Sequence, residues 1–390
     1  MENFDFQMAT RIHFGKGKVK ESLAQEILAW GNKVFFVYDE IPVKASGLYE
    51  EVHEVCKTHG IEVEEFTGIE PNPRHTTVNR GAKLLRSSKA GCIIAAGGGS
   101  TIDCAKAISF AVYHDGDVWD FFERKVAIKE VMPVIAIPTL AASGAEVSFS
   151  SVISNLEKKQ KIGLRDDRER PVAAILDPSY TFSVPAFHTA CGIVDIMSHT
   201  YESYFDQYPL CMQDGFSEGI QKSCVDNGRK VMIYPGDYDA RAQLMWAAVM
   251  SISHLTTYGR GPLYSPIHML DHMVGAYCDI VHGAGIAILS IAWFKYCLSD
   301  KTAPRFARWG KQVWDIRADQ SDYAIAVQAI AAFESFCREL GLPTRLSEMN
   351  VAEETLREIA HDLYGTVPCS QWYRPVESED ELLAIFKLAY

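Results

Sequence analysis

Two groups of residues in the second half of the chain have the types and spacing of metal ligands. His268 and His272 are four residues apart, so they share one face of a predicted helix. His282 follows in the same apolar stretch, next to Gly283, where a helix could end or turn. An imidazole among apolar side chains needs partners for both ring nitrogens. Hydrogen bonding within a core explains any one such histidine, so the metal interpretation depends on the whole group.

The second group consists of Asp195 and His199, which are four residues apart in another apolar helical stretch. Together with His268 and His282 they offer one carboxylate oxygen and three imidazole nitrogens. This set suits a divalent first-row transition metal such as iron, zinc or manganese, without a thiolate ligand. Four such ligands with room for one more oxygen are typical of catalytic metal sites. We therefore predict a catalytic metal site at these four residues.

A glycine-rich loop in the first half of the chain has the features of a phosphate-binding turn. It consists of Gly97, Gly98, Gly99 and Ser100, between a predicted buried strand and a predicted helix. Glycines let a phosphate approach the backbone, and a helix N-terminus supplies free N–H groups. A tight turn with an ordinary helix cap explains the same residues equally well. The loop matches neither the G-x-G-x-x-G fingerprint nor a P-loop.

Two further features favour a nucleotide ligand. Residues 139–146 follow a predicted strand and are rich in small hydroxyl and glycine residues, which suit a ligand's polar groups. Asp39 follows the predicted strand 33–38, and in open α/β sheets ligands lie beyond the carboxyl ends of the strands. A carboxylate there would accept hydrogen bonds from ribose hydroxyls and repel a 2′-phosphate, which favours NAD over NADP. A solvated turn aspartate is the alternative.

The predicted elements change character near residue 178. Before that point, strands alternate with helices, which predicts a parallel sheet covered on both faces. The predicted strands are 10–14, 33–38, 61–66, 91–96, 133–138, 147–154, 161–164 and 172–176. Helical periodicity then dominates, at 186–206, 211–230, 238–256, 263–277, 284–299, 321–340, 352–364 and 378–388. We predict an α/β dinucleotide-binding domain over 1–178 and an all-α metal-binding domain over 179–390.

Composition restricts the class of protein and its partners. The chain has 390 residues and a formal net charge of -12, without a long basic run, so we expect no nucleic-acid or membrane partner. It shows neither a signal-peptide pattern nor an apolar run of about 18 residues. Its 10 cysteines form no C-x-x-C pair, which is typical of reduced thiols in the cytoplasm. We therefore expect a cytoplasmic protein.

In combination, the motifs resemble the iron-containing (group III) alcohol dehydrogenase family, in particular its butanol-dehydrogenase-like and propanediol-oxidoreductase-like members. The motifs are GGGSTIDCAK at 97–106, the loop that follows IPT at 137–139, DIMSH at 195–199, HMLDH at 268–272 and HGAG at 282–285. The likeness covers nearly the whole chain. Two features differ from the family's usual pattern: the loop after Thr139 contains fewer threonines, and Val281 stands where proline is common.

The resemblance implies a nicotinamide cofactor in the N-terminal α/β domain and one divalent metal, with iron as the first choice, in the C-terminal helical domain. It also implies a homodimer. The implied metal ligands are Asp195, His199, His268 and His282. The implied cofactor-binding residues are Asp39, Asn72, Gly97, Gly98, Gly99, Ser100, Asp103, Thr139, Leu140 and Ser143. His272 matches a histidine that is not a ligand but lies next to the metal and the nicotinamide.

The predicted reaction is hydride transfer between NAD(H) and a small primary alcohol or aldehyde, with the chain acting as an aldehyde reductase. His272 would pass a proton to solvent or only orient its neighbours. A lyase of the dehydroquinate-synthase type and a metallohydrolase are the alternatives. The lyase needs several basic residues to hold an anionic substrate, and few lie near the metal motifs, Arg260 being the nearest in sequence. An apolar substrate is compatible with the aromatic residues Tyr264, Phe149 and Tyr277. An anionic aldehyde is the other possible substrate, because Arg260 could pair with its charge.

Overall fold

The computed structural model describes residues 1–317 and 319–390 and divides them into two compact units. The α/β unit comprises residues 7–185 and 234–249. The helical unit comprises residues 1–6, 186–233 and 250–390.

The two units differ from a single division at residue 178 in three segments, namely residues 1–6, 179–185 and 234–249. Residues 179–185 continue the α/β unit past the predicted boundary. Residues 1–6 belong to the helical unit, where Glu2 N donates to Gly259 O at 2.8 Å and the Phe4 ring stacks on Tyr258. Residues 234–249 belong to the α/β unit, where Trp246 packs edge-on against Phe14. The unit to which each segment belongs depends on the residues that it packs against, and a single boundary in the sequence cannot express this.

A six-stranded parallel sheet forms the centre of the α/β unit, with strand order β1-β8-β5-β4-β2-β3. Its strands are β1 (Arg11–Phe14), β2 (Lys33–Tyr38), β3 (Glu62–Phe66), β4 (Cys92–Gly97), β5 (Val134–Pro138) and β8 (Ala173–Leu176). Side chains alternate between the two faces: Phe35 and Val37 lie in one apolar core, Val34 and Phe36 in the other. The sheet is therefore covered on both faces, and the predicted α/β class is confirmed.

The remaining two strands form a separate antiparallel hairpin, which the prediction of one parallel sheet missed. They are β6 (Ser150–Asn155) and β7 (Gln160–Arg165), paired from Ser150 with Arg165 to Asn155 with Gln160. Only residues 156–159 connect them. A parallel pair needs a crossover of about a dozen residues or more, so this short connection permits only an antiparallel pair.

Fifteen α-helices occur in the described residues. Those before residue 185 are α1 (Lys18–Leu28), α2 (Glu40–Ala45), α3 (Leu48–Thr58), α4 (His75–Ser88), α5 (Gly99–Ala111) and α6 (Trp119–Phe122). The others are α7 (Ala186–Tyr204), α8 (Cys211–Ile233), α9 (Tyr238–Ile252), α10 (Pro266–Cys278), α11 (His282–Cys297), α12 (Ala303–Val313), α13 (Asp322–Glu339), α14 (Thr355–Tyr364) and α15 (Glu379–Ala389). Among the described residues, no helix has both the length and the apolar character that crossing a membrane requires.

The sequence analysis did not identify α12, although its apolar spacing was available. Ala303, Phe306, Ala307, Gly310 and Val313 recur at intervals of three and four, and all five are buried. Charged residues between them lower the mean hydropathy of the segment and obscure the pattern. The mostly helical character predicted for the C-terminal part of the chain is confirmed.

Candidate active site

Three helices of the helical unit carry the predicted metal ligands. Asp195 and His199 lie one turn apart on α7, so both side chains leave the same face of that helix. His268 lies in the first turn of α10, and His282 is the first residue of α11. The predicted ligands thus come from helices rather than from loops.

The four side chains converge on one carboxylate oxygen. Oδ1 of Asp195 lies 3.5 Å from Nε2 of His282, 3.7 Å from Nε2 of His199 and 3.8 Å from Nε2 of His268. Ligand atoms of Asp195, His268 and His282 all lie within 4.8 Å of one another. The His199 ring stacks on that of His268 with centroids 5.0 Å apart.

These residues fit a bound cation. Oδ1 of Asp195 and Nε2 of His268 are buried and have no hydrogen-bond partner among the described residues. Ligands at about 2.1 Å from one ion lie about 3.4 Å apart at tetrahedral angles, close to the spacing around Asp195. An ion at their centre would satisfy both buried atoms at once.

The electrostatics of the group also suit a cation. Burial alone would raise the pKa of Asp195, but the surrounding His199, His268 and His282 hold it well below its usual range. Burial lowers the pKa of His199 to about 4, so this ring is neutral at pH 7 and has a lone pair to offer. Burial acts in the same direction on His268, but Glu202 and Asp195 raise its pKa to about 10. A cation bound by His268 must therefore displace a proton.

Two buried carboxylates orient the histidine rings, and the sequence analysis did not identify either of them. Oε2 of Glu202 lies 2.5 Å from Nδ1 of His268, and Asp271 pairs with Nδ1 of His282. Oε1 of Glu202 also accepts a hydrogen bond from the backbone N–H of Ile267 at 2.7 Å. Such partners fix the ring tautomer and leave Nε2 for a metal. A signal was available: each carboxylate follows a predicted ligand by three residues on the same helix.

His272 lies beside the cluster. Its ring centroid is 6.2 Å from that of His268 and 5.9 Å from that of His282. The side chain is partly exposed. This placement suits either a proton carrier or a neighbour that only orients the cluster.

In the α/β unit, the glycine loop (residues 97–100) joins β4 to α5. Gly98 occupies the N-cap position, and no side chain caps this helix end. The ordinary helix cap that was the alternative interpretation of this loop is therefore absent from this helix start. Gly97 has φ +151, and a Cβ there would lie 2.6 Å from Oγ1 of Thr101. The loop requires glycine at this position and presents the backbone N–H groups of a helix N-terminus.

The hydroxyl loop (residues 139–146) packs on the glycine loop. The backbone N–H of Thr139 donates to Gly97 O at 2.9 Å. A Cβ on Gly99 would collide with Oγ of Ser143, and the nearest atom to a Cβ on Gly98 is Cδ2 of Leu140, at 3.8 Å. The structure thus brings Thr139, Leu140 and Ser143 next to the predicted phosphate-binding turn.

The other predicted cofactor residues lie at strand or helix ends of the same unit. Asp39 follows β2 and is the N-cap residue of α2, and its backbone N–H donates to Ala96 O at 3.0 Å. Asn72 has φ +54 in the turn before α4. Asp103 lies on α5, where Oδ2 accepts a hydrogen bond from Val152 N at 3.0 Å.

Arg260 has a structural role that the sequence analysis did not foresee. Its side chain is buried, and Nη2 donates to Oδ1 of Asp214 at 2.7 Å. Nη1 donates to Tyr208 O at 2.9 Å and Nε to Thr256 O at 2.8 Å. These bonds engage all three guanidinium nitrogens, so Arg260 gives no support for an anionic substrate.

Comparisons with known proteins match both parts of the chain. Residues 9–178 match the model of the iron-containing alcohol dehydrogenase family, and residues 189–390 match the model of the C-terminal part of the Fe-containing alcohol dehydrogenase family.

Individual relatives are similar over most or all of their length. The NADH-dependent butanol dehydrogenase A of Clostridium acetobutylicum is 39% identical over 395 residues, which cover 100% of both chains. The NADPH-dependent aldehyde reductase YqhD of Escherichia coli is 34% identical over 352 residues, 89% of each chain. The crystal structure of the NADH-dependent butanol dehydrogenase A of Thermotoga maritima matches with a TM-score of 0.94 at 31% identity, covering 100% of this chain and 99% of that one.

Proposed function

This chain belongs to the iron-containing alcohol dehydrogenase family and is an NAD(P)H-dependent alcohol or aldehyde oxidoreductase, and from that premise we propose a more specific function. The chain reduces short, uncharged primary aldehydes with NADH, using one divalent cation, for which Fe²⁺ is the first choice. The full-length similarity to butanol dehydrogenases favours this function over a dehydroquinate-synthase-type lyase or a metallohydrolase.

The observation that carries this proposal is the convergence of three imidazoles on the ionised carboxylate of Asp195. Asp195, His199, His268 and His282 would hold the cation. When bound, a divalent cation supplies a Lewis acid that polarises a carbonyl oxygen and favours the ionised form of an alcohol. Glu202 and Asp271 keep the rings of His268 and His282 oriented from the Nδ1 side.

The chain's remaining tasks are to bind the nicotinamide cofactor, orient the reactants and move a proton. The reduced nicotinamide supplies the hydride. We assign the cofactor's phosphates to Gly97, Gly98, Gly99 and Ser100, and its neighbouring polar groups to Asn72, Thr139, Leu140 and Ser143. Asp103 belongs to the same cofactor site, on the helix that follows the glycine loop. A ring nitrogen of the partly exposed His272 would exchange the proton with solvent.

The preference for NADH rests on Asp39. A carboxylate beyond the end of β2 can accept hydrogen bonds from ribose hydroxyls and would repel a 2′-phosphate. Glu40, the next residue, adds a second negative side chain at the same helix start. Two relatives from Clostridium acetobutylicum are named NADH-dependent, whereas the Escherichia coli relative is named NADPH-dependent.

The preference for an uncharged aldehyde rests on Arg260. Arg260 is the Lys or Arg residue nearest in sequence to His268, and its guanidinium bonds to Asp214 and two backbone carbonyls. An anionic substrate would gain little from a guanidinium that is already paired and buried.

The test is a panel of aldehydes with purified, Fe²⁺-loaded protein and NADH under anaerobic conditions. Butanal and other short uncharged aldehydes should reduce absorbance at the reduced-nicotinamide band, and carboxylated or sulfonated aldehydes should react more slowly. Metal-stripped protein is the matched control and should be inactive. Suppose that the protein binds both metal and NADH but does not oxidise NADH in the presence of any aldehyde of the panel. That result would contradict the proposal and favour the lyase or the hydrolase.

We also propose that the chain is a cytoplasmic homodimer. All ten cysteines are free thiols, which suits a reducing compartment, and the dimer follows from the resemblance to the family. Light scattering coupled to size exclusion should give twice the chain mass of 43.5 kDa. A mass near 43.5 kDa at micromolar concentration would contradict the dimer.

A further inference from the structure

We propose that Asp103 and Lys106 form a clamp that fixes the hydroxyl loop against the glycine loop, and that this clamp sets the affinity for the nicotinamide cofactor. The inference rests on the proposed cofactor site and gives both residues a positioning role within it. Neither residue needs to touch the cofactor for this role.

Lys106 is an unusual lysine because none of its surface is exposed. Its Nζ donates to Oγ of Ser148 and to the backbone carbonyl of Ser150, both at 2.8 Å, and lies 3.5 Å from Oδ1 of Asp103. A lysine is almost never fully buried unless it is paired, since desolvation of its amine is costly. Here the hydrogen bonds of Lys106 offset the cost of desolvation, and they join α5 to the segment immediately after the hydroxyl loop.

Asp103 bonds to the same segment from a position one turn earlier on α5. Its Oδ2 accepts a hydrogen bond from the backbone N–H of Val152 at 3.0 Å, while Oδ1 faces Lys106. The two side chains are three residues apart and therefore neighbours on the helix surface. Together they hold residues 148–152 at three points: a side-chain hydroxyl, a backbone carbonyl and a backbone N–H.

The other end of the hydroxyl loop is also attached. Thr139 N donates to Gly97 O at 2.9 Å, and Ser143 lies in contact with Gly99. The hydroxyl loop is thus anchored on the glycine loop at its start and on α5 just beyond its end. A loop held at both ends loses less conformational entropy when a ligand orders it, so the clamp should strengthen cofactor binding.

The clamp also accounts for the position of Asp103. Oδ2 bonds to the backbone of β6 and Oδ1 lies near Lys106, so each carboxylate oxygen has a partner within the protein. An aspartate that contacts the cofactor directly would act independently of Lys106. A clamp requires both residues, and this difference can be measured.

The experiment compares Lys106→Met, Asp103→Ala and the double variant by titration with NADH, following the fluorescence of the bound cofactor. Each single substitution should raise the Kd for NADH about tenfold, and the double variant should be little worse than either, because both remove the same clamp. Metal content should not change. Ser148→Ala removes one anchor and should raise the Kd by a smaller factor, which keeps the test decisive if Lys106→Met does not fold.

Glu26→Met is the matched control for the loss of a buried charged residue. Glu26 is buried in the same unit and binds Arg11 at 2.8 Å and His13 at 2.9 Å, away from both loops. This variant should lower the midpoint of thermal unfolding and leave the Kd for NADH unchanged. Lys106→Met should change both quantities.

Three results would separate the hypotheses. A folded Lys106→Met variant with the wild-type Kd overturns the clamp, as do multiplicative losses of affinity in the double variant. Failure of the wild-type protein to bind NADH would instead overturn the proposed function on which the clamp depends.

Discussion

The two candidate sites of this chain are built from different parts of the polypeptide. In the helical unit, the site consists of side chains: Asp195 and three histidines converge, and further carboxylates orient two of the rings. In the α/β unit, the glycine loop offers mainly backbone, at the start of α5, where Gly98 is the N-cap and no side chain caps the helix.

This difference predicts how each site responds to substitution. A site made of side chains depends on residue type and should fail when any ligand is removed. A site made of backbone depends on conformation and on empty space, so it should fail when a Cβ is added or when φ becomes unfavourable. The following predictions test that contrast, from the largest expected effect to the smallest.

Removal of one ligand should have the largest effect. His268→Ala or His282→Ala should lose metal and activity together, by more than the roughly 100-fold that loss of a supporting partner can cost, while the fold survives. Elemental analysis, circular dichroism and aldehyde reduction measure the three quantities. His361→Ala is the control, since this histidine is exposed and pairs with Glu379. Retention of stoichiometric metal in either ligand variant would exclude that residue from the ligand set.

Removal of an orienting carboxylate should have a smaller effect on the same site. Glu202→Gln and Asp271→Asn each keep the size of the side chain but lose the charge beside Nδ1 of His268 or His282. Metal affinity should fall by about 10- to 100-fold, measured by competition with a chelator. An unchanged affinity in both variants would mean that the rings hold their orientation without these carboxylates.

Addition of a methyl group should have different effects on stability at two positions of the glycine loop. Gly97→Ala combines a collision with Thr101 with an unfavourable φ of +151, so it should lose stability as well as about tenfold in NADH affinity. Gly98→Ala has normal backbone angles, and its Cβ would lie 3.8 Å from the nearest atom. It should keep stability and lose affinity only if a phosphate approaches there. Equal thermal midpoints for the two variants would contradict this account.

The smallest expected effect concerns cofactor choice. Asp39→Gly should raise the ratio of NADPH to NADH use by about tenfold, because removing the carboxylate removes repulsion of a 2′-phosphate and contacts to the ribose. Steady-state kinetics with both cofactors gives the ratio. Asp5→Gly is the control: it is the same substitution outside the proposed site, and it should leave the ratio of NADPH to NADH use unchanged. A ratio unaffected by Asp39→Gly would remove Asp39 from the ribose-binding role.

Local patterns were sufficient for much of the fold. A strand at 33–38 and a helix at 186–206 were predicted from their own composition and periodicity, and the structure has the strand Lys33–Tyr38 and the helix Ala186–Tyr204. The hairpin of β6 and β7 was assigned to the wrong sheet, because short apolar runs resemble one another and strand pairing is not a local property. Glu202 and Asp271 were missed because a pattern of metal ligands does not specify which carboxylates bond to the Nδ1 atoms of its histidines, and both pairs join residues on different helices.

By itself, the sequence determined the family, the α/β and helical halves and the spacing that places Asp195 with His199 on one helical face. These properties follow from residue type and from neighbours a few positions away. Only the tertiary structure decided that α7, α10 and α11 bring three histidines to one carboxylate oxygen, that Asp214 bonds to Arg260 and that Lys106 is fully buried. Each of these depends on contacts between segments far apart in the chain, which the packing of the core fixes and local sequence does not encode.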